Sequence, residues 1–312
     1  MNRINAPFEK ELSHFPEEGR DHLRAMIKNG AVLTEEGCEA LLTTLEIDLE
    51  QLMLRLLPLA KLYASAPVSD YKVGAVVKGI LRCKKKAYAL YLGANMEFLG
   101  QALNQSLHAE QAAVMYAWQR GVKQVQAVAV SESPCGHCRQ FLMELEKSDS
   151  IRIITPVKQA KKDYRVQFLP ELLPQGFGPH DLNRETGMMG NQTQNLSLRL
   201  LKANDDPFVA EALNAASQSY APYSDNLAGC AIGNRDGDIY IGRYAENAAF
   251  NPGVSPFQAA ICCMNMDRIV KRNEIKRVVL VEKKTKISQY HQTFQLLKSL
   301  APEIHLEYFE AE

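Results

Sequence analysis

Three metal-ligating side chains that stand far apart in the sequence constrain the fold of this chain more than any other feature. His108 lies in Leu107-His108-Ala109-Glu110-Gln111, and Cys135 and Cys138 form a Cys-x-x-Cys pair in Ser133-Pro134-Cys135-Gly136-His137-Cys138. Three such ligands are the number that a catalytic zinc takes when its fourth position stays open for water, whereas a structural zinc wants a fourth protein ligand. The sequence holds no second Cys-x-x-Cys pair. The fold must therefore bring two separate segments to one point.

Both segments are predicted to begin helices, at 108–120 and 135–146, with a strand at 125–130 between them. A helix N-terminus lowers the pKa of a thiol and offers free N–H groups, which suits Cys135 and Cys138 as thiolates. Arg139 is predicted to donate to one of these thiolates and so to offset their charge. Taken alone, a Cys-x-x-Cys pair is also typical of a redox pair or of half a structural zinc site. Together with His108, it favours one catalytic zinc per chain.

Glu110 follows His108 by two residues, so it points near the metal without being needed as a ligand. Zinc would supply hydroxide at neutral pH. Glu110 would take the water proton and deliver it first to the substrate and then to the leaving group. One carboxylate suffices because the two proton transfers are sequential. Glu110 is therefore predicted to be the catalytic proton shuttle.

The order of elements around these motifs predicts an α/β fold of three layers. An apolar helix over 48–64, kinked or ended at Pro58, precedes strands at 73–77 and 87–93. The two motif helices with their strand follow, and a further strand is predicted at 151–154. The order helix-strand-strand-helix-strand-helix-strand describes a three-layer α/β/α sandwich.

The same order recurs in the second half of the chain. Ala221-Pro222-Tyr223-Ser224-Asp225 echoes Ala66-Pro67-Val68-Ser69-Asp70, and the helix predicted near 257–269 takes the place of the His108 helix. At the position of His108-Ala109-Glu110 the second copy is predicted to read Pro256-Phe257-Gln258. At the position of the cysteine pair it is predicted to read about Lys286 to Gln289. The fold is thus an internal duplication whose second copy has no zinc site.

This duplication predicts four parts of the chain. They are an N-terminal helical segment (1–47), a catalytic domain (48–177), a linker (178–205) and a degenerate, non-catalytic domain (206–312).

The composition favours a small-molecule substrate in a reducing compartment. Lys and Arg number 36 and Asp and Glu number 36, without the basic stripe of a polynucleotide binder. Seven unevenly spaced cysteines do not form a disulfide framework. The first thirty residues lack an apolar signal core, and no apolar run approaches a membrane span. We therefore expect a cytoplasmic protein without a membrane or nucleic-acid partner.

The motifs resemble those of the cytidine deaminases of the homodimeric, two-domain bacterial type, whose zinc pattern is His-x-Glu followed by Pro-Cys-x-x-Cys. The resemblance covers nearly the whole chain. Beyond the zinc motifs it rests on Val73-Gly74-Ala75, Gly93-Ala94-Asn95-Met96-Glu97-Phe98, Phe177-Gly178-Pro179 and Tyr244 to Pro252. It implies hydrolytic deamination of cytidine and 2′-deoxycytidine to uridine and 2′-deoxyuridine.

The resemblance also implies roles for residues around the substrate. Asn95 and Glu97 would hold the ribose 3′-hydroxyl. The Ala109 N–H would contact the base carbonyl, and the Ser133 carbonyl would receive the exocyclic amine. Aromatic residues would wall in the base, here Tyr71 and Phe177.

Three departures from the family pattern stand out. Tyr71 replaces a Phe, Ser133 replaces a Thr, and the stretch from Ile80 to Leu92, with Lys84-Lys85-Lys86, is longer than usual.

The second copy is predicted by the same resemblance to help build the active site of a neighbouring chain, with Ala249 and Phe250 closing the partner's pocket. Phe250 could instead fill the vacated pocket of its own domain. Two other functions stay open. A nucleotide deaminase would need a cationic phosphate pocket, and a non-catalytic zinc scaffold would have no use for Glu110.

Overall fold

The residues before the first domain form a helical layer with one strand. In the computed structural model, which describes residues 5–81, 87–157, 163–190, 197–268 and 274–312, these elements are α1 (Ala6–Leu12), α2 (Glu17–Lys28), β1 (Val32–Thr34) and α3 (Glu35–Leu45). The Asn5 and Thr34 side chains cap α1 and α3. β1 was not predicted, because three residues are too few to show a periodicity. The Lys84-Lys85-Lys86 run noted in the sequence lies outside the described residues.

The apolar helix predicted over 48–64 is divided in two, as Pro58 suggested. α4 (Leu49–Arg55) begins with a capping box formed by Asp48 and Gln51. α5 (Leu57–Lys61) carries Pro58 in its first turn, where a missing N–H costs nothing.

The first copy is built on a six-stranded sheet of order β1-β3-β2-β4-β5-β6. Its remaining strands are β2 (Gly74–Leu81), β3 (Tyr88–Ala94), β4 (Val122–Val130), β5 (Arg152–Pro156) and β6 (Tyr164–Phe168). Its remaining helices are α6 (Ala109–Gln119), α7 (Gly136–Met143) and the short α8 (Leu169–Leu172). Edge strand β6 was not predicted, since its residues are half-buried or exposed and show no apolar alternation.

Two glycines on neighbouring strands set the three layers. A Cβ on Gly74 would lie 2.7 Å from the Leu57 carbonyl oxygen, so α5 lies against one face of the sheet. A Cβ on Gly93 would lie 2.2 Å from the Ala113 nitrogen, so α6 lies against the sheet at Gly93. Gly74 pairs with Ala94, the residue after Gly93, and successive residues of a strand face opposite sides. Helices therefore cover both faces, and the predicted α/β/α sandwich is confirmed.

The second copy repeats this arrangement in a four-stranded sheet of order β10-β9-β7-β8. Its elements are α9 (Pro207–Ser217), β7 (Ala228–Asn234), β8 (Ile239–Arg243), α10 (Pro256–Arg268), β9 (Ile275–Lys283), α11 (Tyr290–Leu300) and β10 (Leu306–Ala311). Gly229 meets α9 and Gly242 meets α10 as closely as Gly74 and Gly93 meet their helices. The duplication is confirmed. α11 and β10 were not predicted, since β10 exists through its parallel pairing with β9.

The two copies pack against each other through α6 and α10. One hydrophobic cluster contains buried residues from both copies, including Trp118 of α6 and Phe257 of α10. Polar contacts cross the same boundary: the Cys262 thiol donates to the Ala112 carbonyl (3.5 Å) and the Asn265 amide to the Tyr63 carbonyl (2.8 Å). The helix that follows His108 is therefore enclosed by protein on both sides. Among the helices in the described ranges, none has the length and apolar character needed to cross a membrane.

Candidate active site

The start of α6 presents His108 and Glu110. His108 is the N-cap residue, and its backbone N–H donates to the Gln111 side chain (3.1 Å). Just before it, Leu107 forms a two-way backbone bridge with Met96 (2.8 and 2.9 Å). Gly93 also lets α6 lie close against the sheet. Together these contacts fix the backbone position of His108.

The start of α7 presents the two thiols. Cys135 is the N-cap residue and Cys138 lies in the first turn, as predicted. Arg139 donates to the carbonyls of Pro134 and Leu172 (2.8 Å each). It therefore orients the loop before Cys135, which corrects the prediction that Arg139 donates to a thiolate.

The predicted ligands His108, Cys135 and Cys138 converge. Their ligand atoms all lie within 4.8 Å of one another, and the Cys135 sulfur is 3.5 Å from His108 Nδ1. Two ligands at ordinary Zn–S and Zn–N distances and a tetrahedral angle would be about 3.5 Å apart. The donor set thus fits a zinc ion with three protein ligands.

The charges of the ligands agree with this fit. Hydrogen bonds from Cys138 and then from His108 lower the pKa of Cys135 to about 3. The pKa of Cys138 is raised well above its usual value, first because it shares its proton with Cys135 and then because it is buried. The two sulfurs thus compete for one proton, and a dication that replaces it leaves both as thiolates.

Glu110 is enclosed beside these ligands. Its side chain is 4% exposed, and burial raises its pKa above the usual value for a carboxyl. A carboxyl whose pKa is shifted toward neutrality can both accept and return a proton. This is the property that a proton shuttle requires.

A cavity of about 310 Å³ opens onto this cluster. It is lined by most of the predicted site residues, namely Tyr71, Asn95, Glu97, His108, Ala109, Glu110, Ser133 and Cys135. Its lining also includes residues that were not predicted, namely Ser69, Val73, Ser106, Leu107, Val130 and Glu132. Ser69 carried a signal in the sequence, since it lies in the segment that recurs at Ser224.

Phe177, Ala249 and Phe250 do not line this cavity. Phe177 is 42% exposed and is tied to α7, where the Gln140 amide donates to its carbonyl (2.5 Å). The structure therefore does not bring Phe177 to the base-binding side of its own chain. Phe250 is 72% exposed and lines a cavity of about 970 Å³ in the second copy.

Asn95 and Glu97 first organise the loop that forms one wall of the cavity. The Asn95 amide accepts from Val73 N (2.8 Å) and donates to the Tyr71 carbonyl (2.9 Å). Glu97 Oε2 accepts from Val68 N (2.8 Å) and Ser69 N (3.1 Å). These bonds leave each side chain capacity for one more partner, because Glu97 Oε1 is bonded by the Ser69 hydroxyl alone and Asn95 has a second amide hydrogen.

The second copy keeps this loop geometry without the metal ligands. Glu246 accepts from Tyr223 N (2.8 Å) and Ser224 N (3.2 Å), as Glu97 does from Val68 and Ser69. Close glycine contacts align α6 with α10. Gly93 lies against Ala109 and Ala113 of α6, and Gly242 lies in the same way against Pro256 and Ala260 of α10.

This alignment corrects the predicted register of the second copy by one residue. Ser255 matches His108 and the fully buried Phe257 matches Glu110. The segment 284–289, between β9 and α11, contains neither Cys nor His. A hydroxyl and a phenyl ring replace imidazole and carboxylate, and no thiol follows β9 in this segment, so the second copy lacks the ligand set.

Comparison with known proteins follows the same division of the chain. Two sequence profiles, each described as the cytidine and deoxycytidylate deaminase zinc-binding region, match residues 47–153 and 169–294. A cytidine deaminase of Aliivibrio fischeri is 38% identical over 99% of both chains. One of Photorhabdus laumondii is 40% identical over 95% of this chain and 94% of its own.

The chain belongs to the cytidine deaminase family.

Solved structures of the family align with part of the chain. The cytidine deaminase of Mycobacterium tuberculosis is 25% identical, with 42% of this chain covering 99% of that one at a TM-score of 0.32. The cytidine deaminase of Burkholderia pseudomallei is 27% identical, with 41% of this chain covering 98% of that one at a TM-score of 0.33.

Zinc is the cofactor of this site, because the family profiles describe a zinc-binding region and the three donors fit the ion.

The ligand set predicts a sharp difference between neighbouring side chains. Replacing His108, Cys135 or Cys138 by Ala should reduce bound zinc well below one ion per chain, because two ligands cannot hold the metal tightly. Atomic absorption of the dialysed variants measures this. His137→Ala is the matched control and should keep its zinc, although His137 lies between the cysteines and its ring is 5.0 Å from that of His108. A full zinc content in a ligand variant, or two ions per chain in the unaltered protein, would contradict the assignment.

Proposed function

We propose that the chain hydrolyses cytidine and 2′-deoxycytidine to uridine and 2′-deoxyuridine with release of ammonia. The observation that carries this proposal is the enclosed Glu110 beside a three-ligand zinc set, inside a cavity that admits a small molecule. A scaffold that merely holds zinc has no need for a buried carboxylate there, and burying one is costly. The family relationship supplies the substrate class.

The residues of the chain then divide the work. Zinc, when bound by His108, Cys135 and Cys138, activates a water molecule at neutral pH. Glu110 takes a proton from the attacking water and passes it to the ring nitrogen N3 of the base. It then takes the second proton of that water, from the hydroxyl now bound to C4, and gives it to the amine. The C4–N bond breaks, ammonia leaves, and the water oxygen remains as the C4 carbonyl. Because burial raises the pKa of Glu110, the carboxyl can serve both steps.

The walls of the cavity can orient the base. Ala109 is the first residue of α6, so its N–H has no acceptor within the helix and is free to donate to the base carbonyl. Ser133 lines the same cavity, and we assign its carbonyl to accept from the exocyclic amine. Tyr71 is 56% exposed and can lie against the base from the open side.

The remaining hydrogen-bonding capacity of Asn95 and Glu97 supports a role in reading the sugar. Both line the cavity, and both are already fixed by the loop that they organise. A hydroxyl bound by such fixed groups is recognised without further ordering. We assign the ribose 3′-hydroxyl to them.

The charge of the cavity favours a nucleoside over a nucleotide. Its described lining contains the carboxylates Glu97, Glu110 and Glu132 and neither lysine nor arginine. A phosphate would be repelled there rather than bound. None of the six described cysteines forms a disulfide, which agrees with the cytoplasmic location that we propose.

These assignments predict an order of substrates. Cytidine and 2′-deoxycytidine should be deaminated well, whereas 3′-deoxycytidine should lose about 10²-fold or more in kcat/KM, because the polar groups built for the missing hydroxyl stay unpaired. CMP and adenosine should be poor substrates. Ultraviolet absorbance follows each reaction, with 2′-deoxycytidine as the matched control for a lost hydroxyl. Equal use of 3′-deoxycytidine and cytidine would refute the sugar assignment, and preferred use of CMP would replace the nucleoside proposal.

The exposed loop of the second copy supports a site shared between two chains. Phe250 is exposed and has a positive φ of 61°, a conformation that a side chain with a Cβ rarely adopts. Backbone bonds from Phe250 N to Asn247 O (2.8 Å) and from Gly253 N to Phe250 O (3.0 Å) hold it there. Contact with a partner chain would explain both the exposed ring and the strained backbone, because it would bury the ring and stabilise this conformation.

We therefore propose a homodimer in which Ala249 and Phe250 close the cavity of the partner. In the second copy Phe257 occupies the position of the carboxylate, and Phe250 stays 72% exposed at the wall of that copy's cavity, which favours a role in a partner's site over filling its own. Two equivalent composite sites would follow from isologous symmetry. Closing the cavity would exclude water from the proton transfers.

The shared site predicts complementation between two impaired variants. A mixture of Glu110→Ala and Phe250→Ala chains should be more active than the two variants assayed separately, because each heterodimer has one site with an intact Glu110 covered by an intact Phe250. Mass spectrometry of labelled chains confirms subunit exchange, and each variant assayed alone is the control. Absence of recovered activity despite confirmed exchange would show that each site is built from one chain.

A further inference from the structure

The loop 244–254, which displays Phe250, rests on the two helices that carry the zinc ligands of its own chain. We propose that Glu144, at the end of α7, is a positioning residue that fixes this loop and thereby the placement of Phe250. This inference rests on the proposed composite site, since Phe250 acts there in the partner's cavity.

Glu144 is fully buried and bonds the loop directly. Its Oε2 atom accepts from the backbone N–H of Ala248 (2.7 Å), two residues before Phe250. Its Oε1 atom accepts from the hydroxyls of Tyr220 (2.7 Å) and Tyr223 (2.5 Å). Burying a carboxylate is costly, and three donors from the second copy offset that cost. An apolar residue could pack in this place but could not fix the direction of the Ala248 N–H.

Neighbouring contacts hold the loop on both sides of this bond. The Asn247 side chain donates to the Gln140 carbonyl of α7 (3.1 Å). The Gln111 side chain of α6 donates to the Pro252 carbonyl (2.9 Å) while accepting from the backbone of His108. Phe250 lies between these attachment points, so its position follows from where α6 and α7 begin and end.

The Gln111 contact belongs to the duplicated fold rather than to the catalytic copy. Its counterpart Gln258 donates to the Gln105 carbonyl (2.7 Å) in the first copy. The Glu144 bond to Ala248 is therefore the better probe. Glu144 is the C-cap residue of α7, more than one helix turn beyond Cys138. Through it, the α7 helix of one site would place the aromatic ring that closes the other site.

The test separates placement of the loop from folding in general. Glu144→Leu removes every acceptor at this position while keeping a side chain of similar size, and Ala248→Pro removes the same hydrogen bond from the loop side by deleting the N–H. Tyr220→Phe is the matched control, because it removes one bond to Glu144 and leaves the Ala248 bond in place. For each variant we would measure zinc content, KM and kcat for cytidine, and hydrogen–deuterium exchange of residues 244–254. Phe250→Ala, alone and combined with Glu144→Leu, completes the set.

We expect Glu144→Leu and Ala248→Pro to keep their zinc, to exchange faster over 244–254 and to raise KM by about 10- to 100-fold, as a misplaced closing group would. The double variant with Phe250→Ala should be no worse than Phe250→Ala alone, and Tyr220→Phe should behave like the unaltered protein.

The inference is overturned if Phe250→Ala raises KM while both Glu144→Leu and Ala248→Pro leave it unchanged, or if Tyr220→Phe has the same effect as Glu144→Leu. A Phe250→Ala variant with normal kinetics would instead overturn the composite site, and this inference with it.

Discussion

Two helices that begin beyond the C-terminal ends of neighbouring parts of one sheet, after β3 and β4, bring the metal ligands together. α6 reaches this end of the sheet because Gly93 lets it lie against β3, and α7 follows because β4 ends beside β2 and turns there. The N-cap positions of both helices then carry His108 and Cys135, 3.5 Å apart at their ligand atoms. The second copy keeps these two helix starts in place. Its helix α10 packs on α6, and its loop 244–254 is hydrogen-bonded to both α6 and α7.

The second copy shows which features belong to the fold and which to the chemistry. Glu246 repeats the backbone contacts of Glu97 in a domain without a zinc site, so this carboxylate organises the equivalent loop in both copies. Phe257, at the position of Glu110, fills with apolar atoms the space in which the first copy keeps a charge. The fold therefore does not determine the activity, which depends on a few side chains placed on it.

The sequence predicted the zinc ligands and the layers, because local spacing and apolar periodicity carry that information. It missed β1, β6 and β10, since these short strands depend on pairing with strands far away in the chain. The register of the second copy was wrong by one residue, because without its metal ligands no fixed point anchored it. Arg139 and Glu144 show the same limit: their partners come from loops and domains that only the folded chain brings near.

The proton transfers assigned to Glu110 are tested most directly by Glu110→Gln, which keeps the size of the side chain but cannot take up a proton in the same way. A catalytic Glu110 predicts one zinc per chain, retained binding of cytidine and a kcat lowered by more than about 10⁴-fold, since the carboxyl serves several transfers and a single acid–base step contributes about 10²–10⁴-fold. Zinc analysis and ammonia release from the same preparation give both quantities. A zinc-replete variant with a kcat close to that of the unaltered protein would contradict the role of Glu110 as the proton shuttle.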